Sequence, residues 1–417
     1  MRSRPARRRT GPIAALDIGS TKIACFVAKS EGDIVRVVGI GYQVSRGIRG
    51  GAIVDMEAAA ESILNAVASA EQMAGETLKS VVVNAGCGQP GSSTVTVDVA
   101  VAGQEVRDHD LRRVTAAGRA LESAPHRRLV HAIPVSYAID GSRGIRDPRG
   151  MCGERLGVNM HLVTADGSAL RNIEAVIGRC HLDVEGFVVS AYAAGLACLV
   201  EDEMDLGVTV VDIGGGTTSM AVFFDGHVVW TDSIAVGGAH VTNDIARGLS
   251  TPLAHAERMK TLHGSAIVAA SDEREIIDVP LVGEEEHDHA NHVPKSILTG
   301  IIRPRVEETF ELVRARLEAS GVDKVAGRRV VLTGGASQLQ GVRELAATVL
   351  DKHVRLGRPI RIQGLSDQTG GPAFAACAGL IGCALAPPAE LPRAAASGGS
   401  PGAGWFGRVG LWLRHNL

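Results

Sequence analysis

The sequence has no Cys-x-x-Cys pair, and its seven cysteines, Cys25, Cys87, Cys152, Cys180, Cys198, Cys377 and Cys383, are scattered and odd in number. That pattern argues against both a zinc ribbon and a disulfide framework and fits a reducing compartment. No stretch approaches the ~18 consecutive apolar residues that a membrane-spanning helix needs. Charge of one sign is missing too. The 43 Lys and Arg nearly balance 46 Asp and Glu, for a net charge of −3, so nothing in the global charge draws the chain to nucleic acid. The start, Met1 to Arg9, is basic like a signal peptide, but Asp17 breaks the apolar run that should follow. The expectation is a disordered basic arm over residues 1–11.

At 417 residues the chain is too long for one compact core, and two or more domains are expected. Residues 12–18 read as an apolar strand running into a Gly-Ser-Thr turn, with returning strands at 23–28 and 35–42. A helix is expected from Met56 to Met73, then a strand at Val81–Val83. Residues 84–163 change character: an alternating strand at Ser93–Ala102, a helix near Asp110–Leu121, and a loop-rich stretch holding Pro125, Pro134 and Pro148. They read as a small inserted subdomain. A βα rhythm returns with a helix at 169–180, a strand at 186–189 and an Ala-rich helix at 190–200. Residues 207–213 repeat the buried strand, running into Gly214-Gly-Gly-Thr-Thr218, and residues 219–224 turn back. The strand–Asp-Ile-Gly–strand unit thus occurs twice, an internal duplication. Val330 to Gly335 forms a third strand-to-glycine turn, with a helix expected at Leu339–Leu350.

Glycine at a hairpin turn lets backbone N–H groups approach phosphate oxygens that a side chain would fend off. Both duplicated turns carry glycine and hydroxyl residues: Gly19, Ser20 and Thr21 in one, Gly214, Gly215, Gly216, Thr217 and Thr218 in the other. Each first strand ends in an aspartate, Asp17 or Asp212. Two such carboxylates across a cleft suit a hydrated Mg²⁺ ion, which keeps most of its waters and takes few protein ligands. Lys22 adds positive charge. One Asp-x-Gly turn alone is an ordinary hairpin; two of them and a third turn at Gly334-Gly335-Ala336 point to a nucleotide.

Asp17 to Lys22, Asp212 to Thr218 and Leu332 to Ser337 resemble the two phosphate motifs and the adenosine motif of the actin, Hsp70 and sugar-kinase superfamily. That resemblance implies a two-lobed α/β, ribonuclease H-like fold with ATP and Mg²⁺ in the cleft. Glu257-Arg-Met-Lys260 matches the Glu-x-x-Lys with which bacterial actin-like proteins contact the ribose or base; without the resemblance it is an exposed helix pair. The stretch from His131 to Tyr137, with Ile139-Asp140, Gly144-Ile145, Pro148 to Gly153 and Arg155-Leu156, is similar to the insert of the FtsA family of bacterial cell-division proteins. The expected division is then a first-lobe core at 12–83, completed by 164–204 and 365–385, with the insert at 84–163. The second lobe comprises a core at 205–237 and 328–364 and a subdomain at 238–327.

Residues 386–404, rich in Pro, Ala, Gly and Ser, read as a flexible linker. Beyond it, Trp405, Phe406, Val409, Trp412, Leu413 and Leu417 share one face of a helix that also carries Arg408 and Arg414 and no acid. That is the composition of an interfacial helix on an anionic membrane; packing back on the body is the alternative. FtsA proteins end in such a helix. Lys295, Arg303 and Arg305 lie in a stretch resembling the FtsA surface that receives the acidic C-terminal tail of FtsZ, though they read equally as solvated charges. The acidic, histidine-bearing run 283–292 lacks an i, i+4 His pair and is expected to be a solvated loop rather than a metal site.

The resemblance implies a peripheral protein on the cytoplasmic face of the inner membrane at the division site. It would form actin-like protofilaments, hold FtsZ and recruit later division proteins through the insert. Related actins place a glutamate ahead of the connecting helix to orient water; in Glu185-Gly-Phe-Val-Val-Ser190 glycine occupies that position, so any ATPase turnover is expected to be slow. A pilus-assembly scaffold with the same hairpins and a small-molecule kinase of the sugar-kinase branch remain alternatives.

Overall fold

The computed structural model describes residues 11–31, 34–101, 103, 105–121, 125–283 and 291–385. The basic arm up to residue 10, residues 284–290 of the acidic run, the 386–404 linker and the 405–417 helix lie outside the described residues.

The duplication read from the two Asp-Ile-Gly turns extends to whole sheets. In the first lobe, strand Ile13–Ile18 pairs antiparallel with Lys22–Glu31, which pairs antiparallel with Ile34–Val44. On its other side Ile13–Ile18 runs parallel to Ser80–Asn84, and that strand to Asp183–Val188. The second lobe repeats this order: Val208–Ile213 is antiparallel to Thr218–Phe224, which is antiparallel to His227–Ile234. Val208–Ile213 is also parallel to Arg329–Thr333, which is parallel to His353–Leu356. Near-continuous apolar runs such as Val81-Val82-Val83 and Val330-Val331-Leu332 suit these central strands, which are buried on both faces. The chain re-enters the first lobe by laying Gln363 along the sheet edge, with hydrogen bonds to Val35 and Val37.

Helix Met56–Ala74 lies against strand Ile34–Val44. Its start is fixed by Asp55, whose carboxylate accepts from the N–H groups of Glu57 and Ala58 at 3.0 and 3.1 Å. Its end is fixed by Gly75 at φ 66°, a left-handed cap. The third glycine turn departs from expectation. A 3-10 turn, Gly335–Gln338, precedes helix Val342–Leu350, which therefore starts three residues later than its apolar pattern suggests. The cause is Gly341 at φ 77°, a conformation that interrupts a right-handed helix.

The insert is a four-stranded antiparallel sheet with helix Asp108–Ala120 packed on Gly91–Ala100 and Arg155–Asp166. The stretch expected to be loop-rich contains three of its strands, Arg127–Ile139, Ser142–Ile145 and Arg155–Asp166. Pro134, which disfavours a regular strand, is the source of the difference. It sits inside a strand at a register shift, where Met160 faces Pro134 and Asn159 faces Ser136. A bulge tolerates the missing N–H that a regular ladder would not.

The two lobes share a core through two Ala-rich helices, Ser190–Cys198 and Ala375–Leu385. They approach so closely that a Cβ at Gly379 would stand 1.8 Å from the carbonyl oxygen of Ala193. No helix among the described residues is long and apolar enough to cross a membrane.

Candidate functional site

The two duplicated turns face one another at the mouth of a cleft of about 590 Å³ between the lobes. Each turn is closed by the same bond: Gly19 N–H donates to the Lys22 carbonyl at 3.0 Å, and Gly214 N–H to the Thr217 carbonyl at 2.9 Å. The tips touch. A Cβ at Gly215 would lie 2.4 Å from the Thr21 methyl, and one at Gly216 would lie 2.4 Å from the Ser20 hydroxyl and 2.9 Å from the Gly50 backbone. Glycine is therefore required here by the approach of one lobe to the other as well as by any ligand.

Asp17 and Asp212 are half-buried and line the cleft. Burial raises the pKa of Asp17, an effect that Lys22 opposes. Asp212 is pushed up to about 7, by burial first and then by the charge of Asp17, again with Lys22 opposing. Lys22 donates to the Ala373 carbonyl and sits 3.4 Å above the centre of the Phe374 ring. Burial lowers its pKa, and the field of Asp17 limits the fall. Two carboxylates that feel each other's charge, with the field of one lysine across both, form a donor set that fits a hard, hydrated dication with phosphate oxygens beside it.

Five sequence-named residues build the opposite wall. Glu257 and Lys260 pair at 2.6 Å, and Lys260 also donates to Thr242 Oγ1 at 2.8 Å and to the Gly238 carbonyl at 3.1 Å. Gly334, at φ 85°, is pressed against Asp212: a Cβ there would come within 2.4 Å of the carboxylate. Gly335 and Ala336 continue this wall, and Val306, Phe310 and Val342 give it an apolar surface suited to a flat ring. Thr218 stands apart from the other turn residues. It is buried, with its hydroxyl donated to the Val236 carbonyl at 2.8 Å, and it does not line the cleft.

Several contributors were missed in the sequence. Asn84 accepts from Ile18 N–H at 2.7 Å and donates to the Ile18 carbonyl and to Ser190 Oγ, both at 3.3 Å, which ties the first turn to the connecting helix. A polar residue ending the Val81–Val83 run was the available signal. Gly51 N–H donates to Ser20 Oγ at 2.9 Å. Gly238 and Ala239 donate to the carbonyls of Gly214 and Gly215 at 2.9 and 2.8 Å, placing the start of helix Gly238–Gly248 at the second turn. The helices beginning at Ser190 and Gly238 both present positive dipole ends to the cleft, as an anion site requires. Glu185 points elsewhere, hydrogen-bonded to Ser80, and Ser190 lines the cleft from that junction.

The three cations named for peptide docking are already engaged. Lys295 pairs with Glu275 at 3.0 Å, and Arg305 with Asp244 at 2.5 Å and with Glu308. Arg303 makes a loose 3.9 Å contact with Glu307. The membrane-facing residues Trp405 to Leu417 lie outside the described residues.

The sequence comparisons with known proteins agree on one family. The profile described as "Cell division protein FtsA" matches residues 209–379, and that of the "SHS2 domain inserted in FTSA" matches residues 88–164. The chain is 44% identical to the cell division protein FtsA of Agrobacterium fabrum, with 98% of this chain and 96% of the relative covered. It is 35% identical to that of Pseudomonas aeruginosa, with 97% and 98% covered, and 32% identical to that of Escherichia coli, with 96% and 97% covered. Among solved structures, a PilM–PilN type IV pilus biogenesis complex aligns with a TM-score of 0.63 at 17% identity, covering 90% of this chain and 99% of that one. MreB5 of Spiroplasma citri bound to AMPPNP aligns at 0.53 and 15% identity, covering 90% and 96%. The structural likenesses show the actin-like fold; the sequence matches, which run nearly end to end, show that the chain belongs to the FtsA family of cell division proteins.

Proposed function

We propose that the protein is a nucleotide-controlled membrane adaptor of cell division, in which ATP with Mg²⁺ joins the lobes and sets their angle. The observation that carries this reading is the meeting of two equivalently closed glycine turns, one from each lobe, beside Asp17, Asp212 and Lys22. With the Gly19 and Gly214 N–H groups closing the turns, those of Ser20 and Thr21 and of Gly215 to Thr217 would hold the phosphates. Asp17 and Asp212 would hold the ion through its waters, and Glu257, Lys260 and Gly334 to Ala336 would receive the adenosine. Bound Mg²⁺ supplies charge neutralisation between carboxylates and phosphates. Gly186 stands where related actins carry a water-orienting carboxylate, and Glu185 is turned to Ser80, which leaves the site suited to holding nucleotide rather than turning it over, so an ATPase rate far below the typical ~10 per second is expected.

A fixed lobe angle favours head-to-tail assembly with further copies of the chain. Each copy contributes a weak interfacial helix, residues 405–417, and a polymer multiplies that affinity by avidity. The filament would then sit on the cytoplasmic face of the inner membrane, engage the FtsZ tail near Arg303, with Lys295 and Arg305 exchanging their internal partners for its carboxylates, and recruit later division proteins through the insert. The MreB5 structure bound to AMPPNP and the FtsA relatives support this reading. The 17% identity to the pilus complex, against 44% to an FtsA protein, disfavours the scaffold alternative. Calorimetry with Mg²⁺–ATP tests the core of the proposal: micromolar or tighter binding, lost in Asp212→Asn, is expected, and no heat of binding by folded wild-type protein would overturn it.

A further inference from the structure

The insert belongs to the first lobe by chain connection but is hydrogen-bonded to the second. Its edge strand, Gly91–Ala100, meets the edge strand of the second-lobe sheet, His227–Ile234, without forming a ladder. One side chain bridges them instead. Ser92 Oγ donates to the Thr231 carbonyl at 2.7 Å and accepts from Thr231 N–H at 2.9 Å, satisfying both backbone groups that the sheet leaves open there. Two residues on, Ser233 Oγ donates to the Pro90 carbonyl at 3.2 Å.

Both ends of this bridge lead directly to the cleft. On the insert side, Pro90 is six residues past Asn84, which grips Ile18 beside the first glycine turn. On the other side, strand His227–Ile234 runs on to Gly238 and Ala239, which bond the carbonyls of Gly214 and Gly215. The bridge is thus formed in the arrangement where the two turn tips touch. Parting the lobes would draw Thr231 and Ser233 from the insert.

We propose that the Ser92–Thr231 and Pro90–Ser233 contacts are a latch through which occupancy of the cleft and docking of the insert on the second lobe control one another. This rests on the nucleotide reading given above. A ligand that bridges the turns favours the closed arrangement, and closure seats the latch. Linkage makes the effect reciprocal, so a latched insert tightens the cleft's hold on its ligand by the same factor. A partner that binds only the released insert would then expel nucleotide, and one that binds the latched insert would retain it.

Hydrogen exchange of segment 228–234, read by mass spectrometry on the full-length protein, tests this with Mg²⁺ and a non-hydrolysable ATP analogue as the probe. In the wild type the probe is expected to slow exchange of Thr231 at least threefold. Ser92→Ala is expected to speed that exchange in the empty protein, abolish the probe's effect on it, and weaken the probe's affinity about fivefold, the lower end of ordinary coupling. Ser92→Thr keeps the hydroxyl and should restore all three. Ser233→Ala, which removes one bond at the periphery, should give a smaller change in the same direction and serves if Ser92→Ala does not fold. Thr231 exchange that ignores Ser92→Ala in the empty protein, or a probe effect that survives the substitution, overturns the latch. Failure of the wild type to bind the probe overturns the proposed function and the linkage, while exchange in the empty protein still decides whether the contact holds the insert.

Discussion

A single methyl group placed on Gly215 should be felt across the cleft. The new Cβ would lie 2.4 Å from Thr21 Cγ2 and 2.8 Å from Thr21 Oγ1, about an ångström inside ordinary contact. Neither turn can yield freely, since Gly19 is bonded to Lys22 and the second turn to Gly238 and Ala239. Overpacking of this kind costs ~1–3 kcal/mol, and the cost falls on the closed arrangement alone, because parted lobes have room for the methyl. Gly215→Ala should therefore weaken Mg²⁺–ATP about 5- to 150-fold while leaving the melting temperature within a few degrees, as the turn lies outside the core. The clash is with the Thr21 side chain, whose Cβ alone would stand at a tolerable 3.1 Å. In a Thr21→Ala background the further loss from Gly215→Ala should shrink below about threefold. Titration calorimetry on the four proteins of this cycle measures it. Equal losses in both backgrounds would refute the claim that the lobes meet turn against turn.

Other consequences follow from burial and charge. Asp212, raised to about 7 in the fold from an ordinary 3.8, opposes folding once it must ionise, so the empty protein should lose stability as pH rises from about 4 to 7. Asp212→Asn should flatten that slope in urea titrations and make the empty protein more stable at pH 8, by at most ~4 kcal/mol. His131 and His161 are buried and lowered to about 3 and about 4, His131 by burial and then by His161, and His161 by burial. Because the unfolded chain binds those protons from about pH 6.5 downward, stability should fall with acidification; His161→Leu, removing a ring with no hydrogen-bond partner among the described residues, should reduce the fall in pH-dependent melts. Gly379→Leu should lower stability by at least ~3 kcal/mol, seen as a drop in melting temperature, because its side chain would collide with the Ala193 backbone where the two connecting helices cross.

The parts of this fold that could be read in the sequence are those whose signals are local. Asp17-Ile-Gly and Asp212-Ile-Gly follow apolar runs directly, and helix Met56–Ala74 announces both its caps. What escaped depends on residues far apart in the chain. Lys22 finds Ala373 and Phe374 only after the chain has traversed the second lobe and returned, so its burial has no local sign. Asn84 acts on Ile18 across 66 residues, and Ser92 on Thr231 across 139. Lys295 and Arg305 look free in sequence because Glu275 and Asp244 lie on other elements; only Glu308, one helical turn beyond Arg305, is a local partner. The insert was half legible. Alternation revealed Gly91–Ala100, whereas proline hid Arg127–Ile139 until the bulge beside it explained how a strand accommodates one.

The measurement that bears most directly on the account is a crystal structure with Mn²⁺ and a non-hydrolysable ATP analogue, using anomalous scattering to find the metal. The account predicts one metal peak between the Asp17 and Asp212 carboxylates, with the triphosphate against the backbone of both glycine turns and the adenine beside Glu257 and Lys260. A metal or triphosphate bound to one lobe alone, or a cleft left empty at saturating analogue, would contradict it.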